Sequence, residues 1–304
     1  MTGPVGNDGL VMATDPTLLY VIGAAKAGTS WLYRYLRDHP DCHLRSIKEL
    51  HFFDSVAEGT VDPRRDRLLA KLSGLEQKFV GAKAERLIDL GTEIADINAW
   101  LDVLRHDGDR TAAYLDYLKS GLDGETLIGD VTPSYALLSA ATLDQMAGIA
   151  PDVRFIFIMR DPVERLWSHV RMEARRQSTT EEVDYGIVRR LFFDVLNSKE
   201  PEIAARGDYA STLEKLKATV DPNRVLLAFT EEMLSDSGIR KICTFLGISF
   251  VAPQIERRVH EGPDLKMRPR QRQAAREWLK PQYDYVEQLF GRLPKAWQPE
   301  LVKV

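Results

Sequence analysis

Three short segments hold the residues with chemistry to offer. The first reads Gly23-Ala24-Ala25-Lys26-Ala27-Gly28-Thr29-Ser30-Trp31. Its small residues let backbone N–H groups approach an anion, and a helix starting there presents its N-terminus to the same charge. Lys26 adds a mobile point charge, and Thr29 and Ser30 add hydroxyls. A tight turn with a surface lysine is the plain alternative, but lysine, glycine and two hydroxyls together favour an anion site. It is not the nucleoside-triphosphate loop G-x-x-x-x-G-K-S/T, because Thr29 stands where that lysine would be. In the second segment an apolar strand, Val153 to Met159, runs through Arg160-Asp161-Pro162 into a helix. Asp161 as N-cap, Pro162 after it and Glu164 at the third helical position make a capping-box-like start, so neither acid needs a chemical role. Arg160 sits at the carboxyl end of a strand, where open α/β sheets bind ligands. A magnesium-dependent kinase would place an aspartate there, whereas arginine suits a phosphate. The third segment, Ser46-Ile47-Lys48-Glu49-Leu50-His51-Phe52-Phe53, reads by itself as a surface Lys–Glu pair before an aromatic core plug.

These segments share a resemblance. Lys26-Ala27-Gly28-Thr29-Ser30 resembles the K-x-G-T-S/T loop that holds the 5′-phosphosulfate in the sulfotransferase family, whose donor is 3′-phosphoadenosine 5′-phosphosulfate (PAPS). Arg160 to Ser168 resembles the family's 3′-phosphate motif, R-D/N-P-x-x-R-x-x-S. Lys48 to Phe53 resembles K-E-P-x-F/Y-F of the carbohydrate (heparan-type) and bacterial branch, with Leu50 replacing proline. The resemblance implies a donor site of Lys26, Ala27, Gly28, Thr29, Ser30, Trp31, Arg160 and Ser168. Arg165 stays open between that site and a structural salt bridge. Glu49 is implied as the base that takes the acceptor's proton, and a desolvated carboxylate with a raised pKa would suit that task. Lys26 or Lys48 would serve the sulfonate side, and His51 is the rival base.

Gly129-Asp130-Val131-Thr132-Pro133-Ser134-Tyr135 resembles the family's G-E-x-T-P-x-Y segment, which lines the acceptor cleft. Asp130, Tyr135 and Phe52 are therefore expected on the acceptor. Arg206-Gly207-Asp208-Tyr209 resembles a family R-G-x-Y segment, and a late basic loop closes over the nucleotide in the family, a role open here to Lys266 or Arg268. The implied reaction is in-line transfer of a sulfuryl group from PAPS to a carbohydrate, lipid or small-metabolite hydroxyl, leaving adenosine 3′,5′-bisphosphate, with no metal required. A P-loop nucleotide kinase and an inactive nucleotide-binding module are the competing readings.

The elements that must position these residues are also legible. Leu18 to Ile22 reads as a buried parallel strand, followed by a helix over Thr29 to Arg37. Further strands are expected at 126–128, 153–159 and 224–229, and a short extended stretch at 42–44. Helices are expected near 86–105, 109–120, 139–148, 162–177, 209–219 and 237–246. Strands alternating with helices predict an α/β fold, a single domain with a central parallel sheet flanked by helices, P-loop-like in the manner of sulfotransferases. Residues 1–16 read as a loose lead-in to a domain over 17–304. Residues 178–205 read as an insertion with its own helix, and the tail is expected to be helical over 270–290.

Composition bounds the rest. Of 304 residues 44% are apolar and 28% charged, which excludes a disordered or fibrous chain. A net charge of −4 argues against a nucleic-acid partner and against a highly anionic polymer as acceptor. Two cysteines, Cys42 and Cys243, cannot make a disulfide framework. With neither a leader-like nor a membrane-spanning pattern, a cytoplasmic enzyme is expected. The oligomeric state is left open.

Overall fold

The structure, a computed structural model, describes residues 15–57, 59–179, 182–254 and 265–298. Strand β1 (Thr17–Gly23) leads into helix α1 (Thr29–Arg37) and the two-residue strand β2 (Cys42–His43). Four helices follow: α2 (Phe52–Ala57), α3 (Val61–Val80), α4 (Ala84–Arg105) and α5 (Arg110–Lys119). Then come β3 (Leu127–Val131), a 3-10 turn (Pro133–Leu137), α6 (Ala140–Ala147), β4 (Val153–Met159) and α7 (Pro162–Gln177). Residues 178–205 carry α8 (Tyr185–Leu196) and α9 (Pro201–Ala205). The chain continues through α10 (Tyr209–Thr219), β5 (Val225–Phe229), α11 (Thr230–Met233), α12 (Asp236–Leu246), α13 (Pro269–Trp278) and α14 (Lys280–Phe290).

Among the described residues the strands form one parallel sheet in the order β2-β3-β1-β4-β5. β1 and β4 lie inside it, covered by helices on both faces. Leu18 to Ile22 and Phe155 to Met159 are accordingly buried, which is why both runs are continuously apolar rather than alternating. From β1 the chain goes outward to β2 on one side. It later crosses back to β4 on the other. The strand ends at β1 and β4 therefore flank the point where connections diverge, the favoured ligand crevice of such sheets.

Helices α2 and α11 are not among those expected, residues 178–205 hold two helices rather than one, and two larger departures have a physical reason. α3 is absent from the sequence reading because only Leu72 and Leu75 of its twenty residues are buried, too sparse for a helical stripe. The expected tail helix is two helices that meet at Leu279, just before Pro281, whose ring cannot continue α13. The expected lead-in lies outside the described residues as far as residue 14, and Asp15 pairs with Lys119 at 2.8 Å. No helix among the described residues is long and apolar enough to cross a membrane.

Candidate active site

A cleft of about 1530 Å³ opens at the carboxyl ends of β1 and β4. Lys26, Gly28, Thr29, Ser30, Trp31, Glu49, His51, Arg160 and Ser168, drawn from all three segments, line it together.

On the donor side Gly28 ends the loop in the left-handed region, at φ 90°, and no side chain caps α1. The first amides of that helix are thus free to meet an anion. A side chain at Gly28 would be strained in this conformation and would come within 3.1 Å of Met233. Ala27 is buried behind the loop, where its carbonyl accepts from the Thr230 hydroxyl at 2.8 Å. Arg160 Nη1 donates to the Lys26 carbonyl at 3.3 Å, tying the strand end to the loop. The Tyr209 hydroxyl accepts from the Arg160 amide at 3.2 Å and donates to its carbonyl at 2.7 Å. Burial pushes the Lys26 ammonium down, and the neighbouring cations Arg160, Arg171, Arg176 and Lys48 push it further the same way. A crowd of like charges of this kind is relieved by an anion.

The helix after Arg160 starts differently from expectation. Asp161 does cap it, accepting from the Glu164 amide at 3.0 Å. Glu164 does not reach back. The Asp161 amide goes instead to Glu231 at 3.0 Å, and Glu164 pairs with Arg272 at 2.6 Å and Arg160 at 4.0 Å. Arg165 meets no carboxylate among the described residues. It is buried, donates to the Ile203 carbonyl and to His169, and lies against Gly207, where a Cβ would come within 2.6 Å of its guanidinium. The Arg206–Tyr209 segment is thereby explained: Gly207 makes room for Arg165, and Tyr209 holds Arg160. Burial and the Arg165 charge push His169 down to about 3, so the ring lining the cleft is neutral, with Nδ1 accepting from Arg165 and the hydrogen on Nε2.

On the acceptor side Glu49 and His51 both have positive φ, 66° and 57°, a strained pair around the buried Leu50. A buried network clamps them. The Tyr135 hydroxyl accepts from the Phe52 amide and donates to Asp130, both at 2.8 Å. Thr132 donates to Asp130 at 2.6 Å and accepts from the His51 amide at 3.4 Å, and Tyr114 adds a third hydroxyl to Asp130 at 3.0 Å. Asp130, Tyr135 and Phe52 therefore do not reach an acceptor. All three are buried, Phe52 stacks on Tyr114 at 4.4 Å, and none lines the cleft. Their work is to fix the backbone that carries Glu49 and His51.

Glu49 pairs with Lys48 and lies 3.6 Å from His51 Nε2, while His51 Nδ1 is 2.6 Å from Asp54, which also accepts from Ser134 at 2.6 Å. Burial alone would raise the Glu49 carboxyl. The His51 hydrogen bond and the Lys48 charge outweigh it and hold Glu49 down at about 2, contrary to the raised value expected. For His51 burial acts downward, but bonds to Asp54 and Glu49 prevail and its pKa is raised. Lys48 itself is occupied by Glu49 and does not line the cleft, whereas Lys26 does.

Lys266 and Arg268 are exposed and outside the cleft lining, and Arg268 lies 4.8 Å over the Tyr185 ring. Leu265 does line it, its carbonyl held by the Trp167 indole at 2.7 Å. Sequence reasoning missed Arg64 and Arg67 on α3 and Arg175 and Arg176 on α7, all on the cleft wall. α3 carries no motif, and Arg175-Arg176 reads as an ordinary basic helix end.

Comparison with known proteins places the chain in a family. The model of the sulfotransferase family matches residues 17–252. Human carbohydrate sulfotransferase 15 is 24% identical over 283 aligned residues, covering 80% of this chain and 46% of the human protein, and the mouse protein matches equally. The chain thus spans about half the length of the curated relatives it matches. The crystal structure of a sulfotransferase from Alicyclobacillus acidocaldarius superimposes with a TM-score of 0.60 at 23% identity, over 93% of this chain and 99% of that one. The sulfotransferase domain of the Synechococcus PCC 7002 olefin synthase gives 0.50 at 16% identity, over 92% and 97%. With the family model covering more than three-quarters of its length, the chain belongs to the sulfotransferase family.

Proposed function

We propose that this chain transfers a sulfuryl group from PAPS to a hydroxyl of a carbohydrate. The observation that carries the reading is the meeting of Lys26 and Arg160 at neighbouring strand ends, in one cleft with Glu49. The donor half suits the two ends of the nucleotide. The open amides of α1, with Lys26, Thr29 and Ser30, face the 5′-phosphosulfate, and Arg160 with Ser168 takes the 3′-phosphate. The names of the curated relatives favour a carbohydrate over a lipid or small metabolite.

The acceptor oxygen forms the new S–O bond as the bond from sulfur to the 5′-phosphate breaks in line. Glu49 takes the acceptor proton, and adenosine 3′,5′-bisphosphate leaves. At about 2 Glu49 is a weak base while Lys48 covers it. An acceptor hydroxyl that bonds Glu49 must draw it away from Lys48. Its basicity then rises, while Lys26 on the cleft wall meets the charge gathering on the sulfuryl oxygens. Transfer of labelled sulfate from PAPS to a panel of oligosaccharides, with products identified by mass spectrometry, tests the reading. A sulfated sugar is expected, and labelled products confined to lipids would overturn the carbohydrate assignment.

A further inference from the structure

Helix α3 carries three arginines with different company. Arg65 pairs with Asp62 at 3.0 Å and with Asp66 at 3.6 Å. Arg64 and Arg67, one turn apart, line the cleft, and neither has an ion pair among the described residues. Arg64 is half-buried, and its Nε is enclosed without a hydrogen bond. The carboxylates nearby are already matched. Lys48 holds Glu49, and His51 holds Asp54 at 2.6 Å and lies 3.6 Å from Glu49. Asp54 and Glu49 act on Arg64 through space only. The acceptor side therefore ends with two surplus guanidinium groups on one helix face, although the chain as a whole is acidic.

A half-buried cation without a direct ion-pair partner is poorly compensated until an anion reaches it. The guanidinium fork matches the paired oxygens of a carboxylate, sulfate or phosphate, and two such forks one turn apart can hold one group between them. We propose that Arg64 and Arg67 form an acceptor subsite, so that the hydroxyl to be sulfated belongs to a molecule already carrying an anionic group. The proposal rests on the sulfuryl-transfer reading of the cleft, and Arg64 and Arg67 act in it as specificity-determining residues. Among the described residues the hydrogen bonds and ion pairs of Lys26 and Arg160 run to Met172, to each other and to Glu164, not to Arg64 or Arg67.

The test uses the full chain saturated with adenosine 3′,5′-bisphosphate, so that the donor half is filled. Calorimetric titration compares phenyl β-glucoside with phenyl β-glucuronide and with the 6-sulfate and 6-phosphate of the glucoside. At least one anionic glycoside is expected to bind roughly tenfold or more tightly than the neutral one, and which one does so identifies the group. In the Arg64→Gln/Arg67→Gln variant that preference should shrink below about threefold, with bisphosphate affinity kept within about the same factor. Arg67→Gln alone, at an exposed position, should lose part of the preference and serves if the double variant does not fold. Equal binding of all four glycosides, binding of none, or a preference that survives the double variant overturns the subsite. Failure of the wild-type chain to bind the bisphosphate defeats the sulfuryl-transfer reading instead, and the glycoside titration without nucleotide then still decides the subsite.

Discussion

Lys26 and Arg160 stand at the ends of two neighbouring strands in the middle of the sheet, and their places are fixed through backbone. The Arg160 side chain bonds the loop carbonyl, and Tyr209 holds both polar groups of the Arg160 peptide. Glu49 and His51 stand instead on a short segment beyond the two-residue edge strand β2, and what orients their side chains is mainly charge: Lys48, Asp54 and each other. The donor half is tied down by hydrogen bonds to backbone and crowded with cations. The acceptor half is a balanced ion cluster that must be unbalanced before it can act. Substitutions should therefore strike the two halves in different observables.

The largest effect is expected at Glu49. Glu49→Gln keeps the shape and removes the base, so single-turnover transfer should fall by about 10²–10⁴-fold, while bisphosphate affinity measured by calorimetry stays unchanged. His51→Ala is the control. If it abolishes transfer while Glu49→Gln does not, the roles of the two are exchanged. Next come the donor cations. Arg160→Ala should weaken adenosine 3′,5′-bisphosphate by roughly ten- to a hundredfold and 5′-AMP much less. Lys26→Ala should depress nucleotide affinity and turnover together. Equal affinity of the wild-type chain for the two nucleotides would break the contrast between the halves.

Gly207→Ala tests the backbone side of the comparison. The new methyl meets a buried guanidinium that has little room to retreat, and a loss of about 1–3 kcal/mol in unfolding stability is expected. Bisphosphate affinity should fall with it, because Tyr209, two residues on, anchors Arg160. The smallest effect belongs to the ion cluster. Glu49 and Asp54 are depressed, so their contribution to stability is present above their ordinary values and is lost as pH falls. His51 is raised, so its contribution is complete below its ordinary value and fades as pH rises through the folded one. The stability difference between wild type and His51→Asn should peak between about pH 4.5 and 6.5 at no more than about 1 kcal/mol, shrinking on both sides. A flat difference in denaturant titrations across that range would show that His51 is not charged.

The donor half was legible because its signals are local. An anion loop needs small residues at fixed spacing, and a strand-to-helix junction needs Asp161 and Pro162 beside Arg160. β1, β4 and β5 are apolar runs with no competing reading, whereas β3 is legible only to Ile128 because Gly129 and Asp130 interrupt its apolar run. The acceptor half was legible only in part. Lys48, Glu49 and His51 could be named, but the pairing that lowers Glu49 depends on Asp54 and on a backbone clamp from Asp130, Thr132 and Tyr135, some eighty residues away. That distance also misdirected Asp130 and Tyr135 to the acceptor. A family-like pattern marks a residue as needed, and only packing tells whether it touches ligand or holds something that does. Arg64 and Arg67 gave no signal, since basic residues on a polar helix are ordinarily solvated.

The order of the strands also governs how the molecule is assembled. β1 pairs with β3 and β4, Thr17 with Leu127 and Leu18 with Val153, so it has no neighbour in the sheet until roughly a hundred further residues exist. A chain emerging from the ribosome therefore builds the α3–α4 hairpin, whose contacts are local, while β1 waits as an unpaired apolar strand. The acceptor wall comes first and the donor cradle last. In that interval the exposed β1 edge is open to pairing with other nascent chains. Yield on expression should consequently respond to temperature and chaperone supply through β1, and polar substitutions on α3 should leave it unmoved.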